Sequence, residues 1–430
     1  MRFALRTLGL IGPIGIVAGS LVWSPVTRAA GTPTPTFTKD VAPILYKNCA
    51  ECHRPTSMAP MSLMTYDDVR PWARAVKQKV VARQMPPWGA DPTVAKYAND
   101  VSLKQSDIDT IVAWVDGGAP QGNAADLPKA PEFADGWSIG KPDVVLRMQQ
   151  PFAVPADGTV PYTYVTIPTN FATDVWIRGV ELKPTDRRVV HHIISYVVEG
   201  NGMPADPKPS LTRDLTRKEV AGGLGGLVPG RLYGLYEDGV ARKIPAGADI
   251  VLQMHYTTVG QPVIDQTEIG LVLSKEPPAK LRQEAGGAIP NTTFAIPPGD
   301  PNFAVTGQQK IDRDTYLSTM YPHMHVRGKD ATYSIVYPDG REEVVLRVPK
   351  YDFNWQLSYK LAEPRLMPKG SILKVVMHYD NSSGNRFNPD PTATVRWGDQ
   401  TWEEMMLGYY GTIELPGSTA TRTRPSGAKR

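Results

Sequence analysis

The sequence predicts a multidomain chain, a small all-α domain followed by two all-β domains. Three observations carry that expectation. At 430 residues the chain is too long for one core. Helical patterning is confined to the first part, over residues 66–82 and 106–115. Beyond about residue 140, short Val/Ile/Tyr-rich runs are punctuated by many of the 41 prolines and 38 glycines, as in turn-rich β structure. The β region also repeats itself. Pro245-Ala246-Gly247 precedes Met254-His255-Tyr256, and Pro368-Lys369-Gly370 precedes Met377-His378-Tyr379, with the same spacing in both copies. The expected boundaries are 37–121 for the helical domain, 138–275 and 276–416 for the β domains, and a disordered tail over 417–430.

The N-terminus has the pattern of an export signal over residues 1–30. Arg2 and Arg6 precede an apolar run from Leu8 to Trp23, which ends in small residues at Ala29 and Ala30. The run is short for a membrane span, so cleavage and a periplasmic or otherwise exported location are expected, without stable membrane insertion afterwards. The formal net charge is +4, and the two ends supply more than that. The body between them is slightly acidic, which leaves no basic stripe for nucleic acid.

Cys49-Ala50-Glu51-Cys52-His53 is the C-x-x-C-H pattern of covalent c-type haem attachment, in which two thioethers anchor one porphyrin and the adjacent imidazole reaches the iron. These are the only two cysteines of the chain. A disulfide over so short a span would constrain little and would leave His53 unexplained. The sixth ligand should be a thioether, with Met58, Met61, Met64 and Met85 available. Met85 is the expected one, because Pro86-Pro87 ends the preceding helix and leaves the sulfur on a loop. Residues 106–115 read as an N-capped, amphipathic closing helix that stops at Gly117-Gly118. Residues 37–121 resemble a small class I cytochrome c.

Six of the seven histidines fall in the β region. His323 and His325 in Tyr321-Pro322-His323-Met324-His325 would share one face of a strand, two-thirds of a metal site. His191, His192 and His255 form a second set, and three neutral imidazoles suit copper or zinc. Adjacent residues in a regular strand face opposite ways, so His191 and His192 can share an ion only where the strand is bulged or ends. For the third ligand beside His323 and His325 two candidates compete. The repeat nominates His378, the counterpart of His255. Met405 in Glu403-Glu404-Met405-Met406 would add a thioether, and soft sulfur with two imidazoles favours Cu(I).

Val190-His191-His192-Ile193, Leu252-Gln253-Met254-His255-Tyr256, His323-Met324-His325 and Glu403-Glu404-Met405 occur in the order found in the copper type II, ascorbate-dependent monooxygenases. That family includes peptidylglycine α-hydroxylating and dopamine β-monooxygenases, and the resemblance covers residues 140–415. It implies two jelly-roll-like sandwiches with two coppers facing each other across a solvent-filled cleft. His191, His192 and His255 would hold the electron-transfer copper. His323, His325 and Met405 would hold the copper that meets oxygen. Gln253 would stand beside the first copper and Tyr409 in the substrate cleft, and His378 becomes an outer neighbour.

The departures from the family narrow the chemistry. Met406 stands where relatives have a cysteine, Leu407 where they have an asparagine, and Tyr321 where peptide-hydroxylating relatives place the arginine that grips a substrate carboxylate. An amidated peptide is therefore not the expected product, and an apolar or neutral small molecule is. The expected function is an exported haem–copper monooxygenase. It would hydroxylate a C–H bond with O2, fed by an external electron donor through one covalent haem c and two copper ions. A non-catalytic electron-transfer or copper-binding protein is the alternative.

Overall fold

Alternating burial builds most of the chain. Ile372–Tyr379 alternates half-buried and buried residues along its length, as a strand with one face on a core must. The computed structural model describes residues 33–414 apart from 56, 58, 134–135, 199–219, 228–232, 237, 276–281 and 399. The export segment expected over 1–30 and the tail expected over 417–430 lie outside the described residues. Among the described residues no helix is long and apolar enough to cross a membrane.

Two four-stranded antiparallel sheets carry the histidine motifs. One orders Thr163–Pro168, Asp249–Tyr256, Val190–Val198 and Val220–Leu227. The other orders Phe303–Lys310, Ile372–Tyr379, Gly328–Val336 and Glu342–Val348. A nine-stranded sheet serves both. From one edge it runs through Val175–Lys183 to Val240–Ile244, then through Arg282–Pro290 and Leu407–Glu414 to Thr315–His323 and Tyr359–Met367. Its seam is the parallel pairing of Arg282 and Gln283 with Val240 and Ala241.

Each four-stranded sheet closes a separate apolar core. Ile177, Val180 and Leu182 of the large sheet meet Val165, Ile193, Ile250 and Leu252 in one. Leu317 and Met320 meet Tyr333, Leu346, Val375 and Met377 in the other. Gly408 lets the large sheet come close here, since a Cβ at that position would lie 2.7 Å from Val375.

The expected fold class, a small all-α class I cytochrome c domain followed by two all-β jelly-roll-like sandwich domains, is corrected by this structure. The described residues are mostly β, with 39% strand and 13% helix. The helices are short: Ala42–Asn48, Tyr66–Val69, Ala73–Val81 and Gln105–Asp116. They gather round Phe37, Leu45, Ile111 and Trp114, but the segment between the third and fourth leaves them. Trp88, Ala90 and Tyr97 join the core of the second β region instead. Their backbone is fixed there, with Asp91 N–H donating to the Arg347 carbonyl and Ala98 N–H to that of Lys360. Past the Pro86-Pro87 break, which ends the helix, an extended aromatic stretch buries its rings on the sheet. From Pro35 onward the described residues accordingly form one compact unit, and the repeated halves share a sheet.

Candidate metal centres

The Val190–Val198 strand pairs with Asp249–Tyr256, and its register shifts between Val190 and His192. That bulge turns two sequence neighbours toward one place. His192 lies opposite His255, and the three imidazoles meet. Nδ1 of His192 is 3.2 Å from Nδ1 of His191 and 3.3 Å from Nδ1 of His255. Ligand nitrogens of all three lie within 4.8 Å of one another. Two nitrogens held about 2.0–2.1 Å from a tetrahedral ion would be roughly 3.3 Å apart, which is the spacing found here. Burial disfavours the imidazolium in all three rings. Arg187 adds to this at His191 and the neighbouring histidines at His192, while His255 is lowered to about 4. Neutral imidazoles keep the lone pairs that a metal needs.

The second set is built differently. His323, at the end of Thr315–His323, has Nδ1 2.9 Å from Oε1 of Gln356. His325 has Nδ1 3.2 Å from the Glu403 carbonyl. Both partners are acceptors, so both Nδ1 atoms carry the proton and both Nε2 atoms keep a lone pair. The rings stand 5.4 Å apart and nearly perpendicular. Burial lowers His323 to about 3 and His325 to about 4, with His325 adding to the effect at His323.

Met405 reaches this set through Glu404. The fully buried Glu404 carboxylate accepts N–H bonds from His325 at 2.8 Å, Arg327 at 2.7 Å and Met405 at 3.3 Å. Arg327, equally buried, donates from Nε to Asn381 and from its guanidinium to the Trp402 carbonyl. The 402–405 segment is thereby latched to the histidine loop, with the backbone of Met405 and that of His325 on one carboxylate. Desolvation raises Glu404 to about 8, against the N–H bonds and Arg327 that lower it. His378 is tied elsewhere, with Nδ1 2.7 Å from Oδ1 of Asp330 on the neighbouring strand.

The two sets are neighbours. His323 and His325 contribute to the depression at His192, and His325 to that at His255. Tyrosines adjoin both. Gln253, half-buried in the His255 strand, donates to Tyr164 at 2.5 Å. Tyr409 stacks on Tyr321 at 5.3 Å and lies 6.4 Å from the His323 ring. Burial pushes the Tyr409 phenol up to about 12. Tyr321 donates to the same Gln356 oxygen that serves His323. Gln356 is 1% exposed, and its Nε2 is the buried amide donor that has no partner among the described residues. Sequence reasoning missed Gln356 and the carboxylate latch at Glu404. A lone glutamine outside any motif carried no signal, whereas the Glu-Glu-Met run did contain Glu404.

In the helical region Cys49 and Cys52 are half-buried and not joined. Burial pushes the Cys49 thiol up to about 12 and raises that of Cys52. One helical turn sets Cys49, Cys52 and His53, through Cys52 N–H and His53 N–H to the Cys49 carbonyl. His53 Nδ1 is 3.2 Å from the Met61 carbonyl, which fixes the proton there and leaves Nε2 with its lone pair. These residues fit a covalently held haem. Met61 is half-buried and packs against the core of the helical region. Met85 is half-buried on the loop after Ala73–Val81, and Met58 lies outside the described residues. Beside the attachment loop is a cleft of about 380 Å³ whose lining includes Arg54, Ser57, Glu181, Arg187 and Arg188. Arg187 is within electrostatic reach of Cys52 on one side and of His191, four residues along the chain, on the other.

No family model and no curated protein matches the chain. Similarity to solved structures is distant. A structure of allantoicase is 10% identical with a TM-score of 0.18, covering 54% of this chain and 81% of that one. The STIV MCP crystal structure is 9% identical with a TM-score of 0.28, covering 63% and 96%. A PBCV-1 virus capsid is 9% identical with a TM-score of 0.23, covering 62% and 94%. At such TM-scores these likenesses carry no argument about fold or function.

Proposed function

We propose that the protein is an exported haem–copper monooxygenase that hydroxylates a C–H bond of a neutral small molecule with O2. The observation that supports this most is the pairing of two unlike histidine sets side by side. One is three convergent imidazoles. The other is two imidazoles with outer partners, beside a latched methionine. Bound copper would supply the one-electron steps and the place where dioxygen is reduced. His191, His192 and His255 would hold one ion. His323 and His325, with Met405 as the thioether, would hold the other.

The chain's own residues account for the rest. Gln356 and the Glu403 carbonyl keep the proton on Nδ1 of His323 and His325, so Nε2 stays available. Tyr321 and Tyr409 offer stacked rings and no carboxylate clamp, which suits a neutral substrate. Cys49, Cys52 and His53 would hold haem c with Met85 opposite, and Arg187 spans from that site toward His191. An external reductant would deliver electrons to the haem.

The test is a metal and haem count on protein from the export compartment, followed by oxygen uptake. One haem that survives denaturation, two coppers, and oxygen consumption that depends on an added neutral substrate are expected. Stoichiometric zinc inert to copper exchange, or full copper without oxygen consumption under any reductant, overturns the assignment.

A further inference from the structure

The two histidine sets are joined by one side chain that neither motif contains. The Phe353 ring stacks on His191 with centroids 6.1 Å apart and planes 25° apart. It also meets His325 edge-on at 6.0 Å and 79°. His191 and His325 can therefore be no farther apart than those two distances laid end to end. Phe353 is half-buried and packs on the core of the second β region.

Its mount is fixed at both ends. Before it, the Tyr351 hydroxyl donates to the Met324 carbonyl at 2.8 Å and accepts from Met324 N–H at 3.3 Å. After it, Gln356 holds Tyr321 and His323. Within it, Asp352 accepts the Asn354 N–H at 2.9 Å and its carbonyl takes the Trp355 N–H. The loop thus grips His323 and Met324 and presents one aromatic ring toward the other set. A side chain on so short a tether between two anchors has little freedom to swing away.

We infer that Phe353 is a positioning residue that spaces the two histidine sets and places a ring, not solvent, between His191 and His325. With both ions bound, electrons exchanged between the sets would pass by way of that contact. This rests on the two-metal reading above. Dioxygen that takes up two electrons and two protons without meeting substrate leaves as hydrogen peroxide, so loosening the contact should raise that leak.

The experiment uses the full-length haem protein loaded with copper. In the oxidised wild type, pulsed electron paramagnetic resonance should give one narrow copper–copper distance distribution. Phe353→Ala should keep both coppers yet broaden that distribution. Electron exchange between the sites should slow by about 10–100-fold, the range for losing an outer partner of a metal ligand, and peroxide released per oxygen consumed should rise. Phe353→Leu, which keeps an apolar filler, should hold the spacing while leaving exchange slow, and it serves if the alanine variant folds poorly. Two bound coppers with unchanged spacing and unchanged exchange in both variants overturn the inference. Fewer than two coppers in the wild type overturns the two-metal reading itself.

Discussion

In the first histidine set three Nδ1 atoms converge, whereas in the second both Nδ1 atoms turn outward to an amide oxygen and a carbonyl. A strand bulge and one cross-strand neighbour bring the first set together. In the second, a network of Glu404, Arg327 and Gln356 ties the 402–405 segment and the two rings in place. A site made by one bulge depends on backbone register. A site made from two distant segments depends on buried polar contacts, which are costly when broken.

The largest effects should come from deleting a ligand of the first set. His255→Ala leaves two imidazoles, His191 stacked on Phe353 and His192 beside Tyr162. Copper per chain should fall by one, with the sulfur signal of the second site intact by X-ray absorption of the reduced protein. Loss of both coppers would mean that the two sets are one centre and the contrast is false.

Met405→Ile sharpens the contrast from the other side. It should spare the first copper, remove the sulfur signal and abolish substrate-dependent oxygen uptake, because only the second set is expected to use a thioether. Retention of the sulfur signal would assign that ligand to another methionine. Glu404→Gln should act more weakly. The amide replaces one acceptor oxygen by a donor that faces a backbone N–H, at a cost of about 1–3 kcal/mol. Thermal or denaturant unfolding should register that loss. Copper affinity should drop at the second site alone, and equal weakening of both would show that the latch serves the fold rather than the site.

The histidine clusters were largely legible in the sequence because short spacings encode them. His323 and His325 come together, although the strand ends at His323 and His325 lies in the loop beyond it rather than on the same strand face, and His191-His192 signalled that a bulge was required. The parts that were not legible depend on contacts between distant segments. Gln356 and Phe353 sit in a loop with no motif, and only the folded register brings them to His323 and His191. The fold class failed for a related reason. Trp88 and Tyr97 lie within a stretch whose neighbours are helical, and nothing local says that they pack on Tyr359, which lies far along the chain. The repeat suggested two separate β domains, but pairing at Arg282 and Gln283 runs one sheet through both.

The smallest expected effect settles whether the repeat extends to the ligands. His378 is the counterpart of His255 by sequence position, and symmetry would make it the third ligand beside His323 and His325. Its surroundings differ from those of His255. Its Nδ1 is held by Asp330, and both side chains keep more than a fifth of their surface open to water, 29% and 25%. An imidazole–carboxylate pair so exposed is worth about 0–1 kcal/mol. His378→Ala should therefore leave copper content and the sulfur signal unchanged, lower stability by no more than that amount in denaturant unfolding, and reduce oxygen uptake little. Loss of the second copper in His378→Ala, with copper retained in Met405→Ile, would reverse the assignment and make the two sites true repeats, alike in ligands as well as in strands.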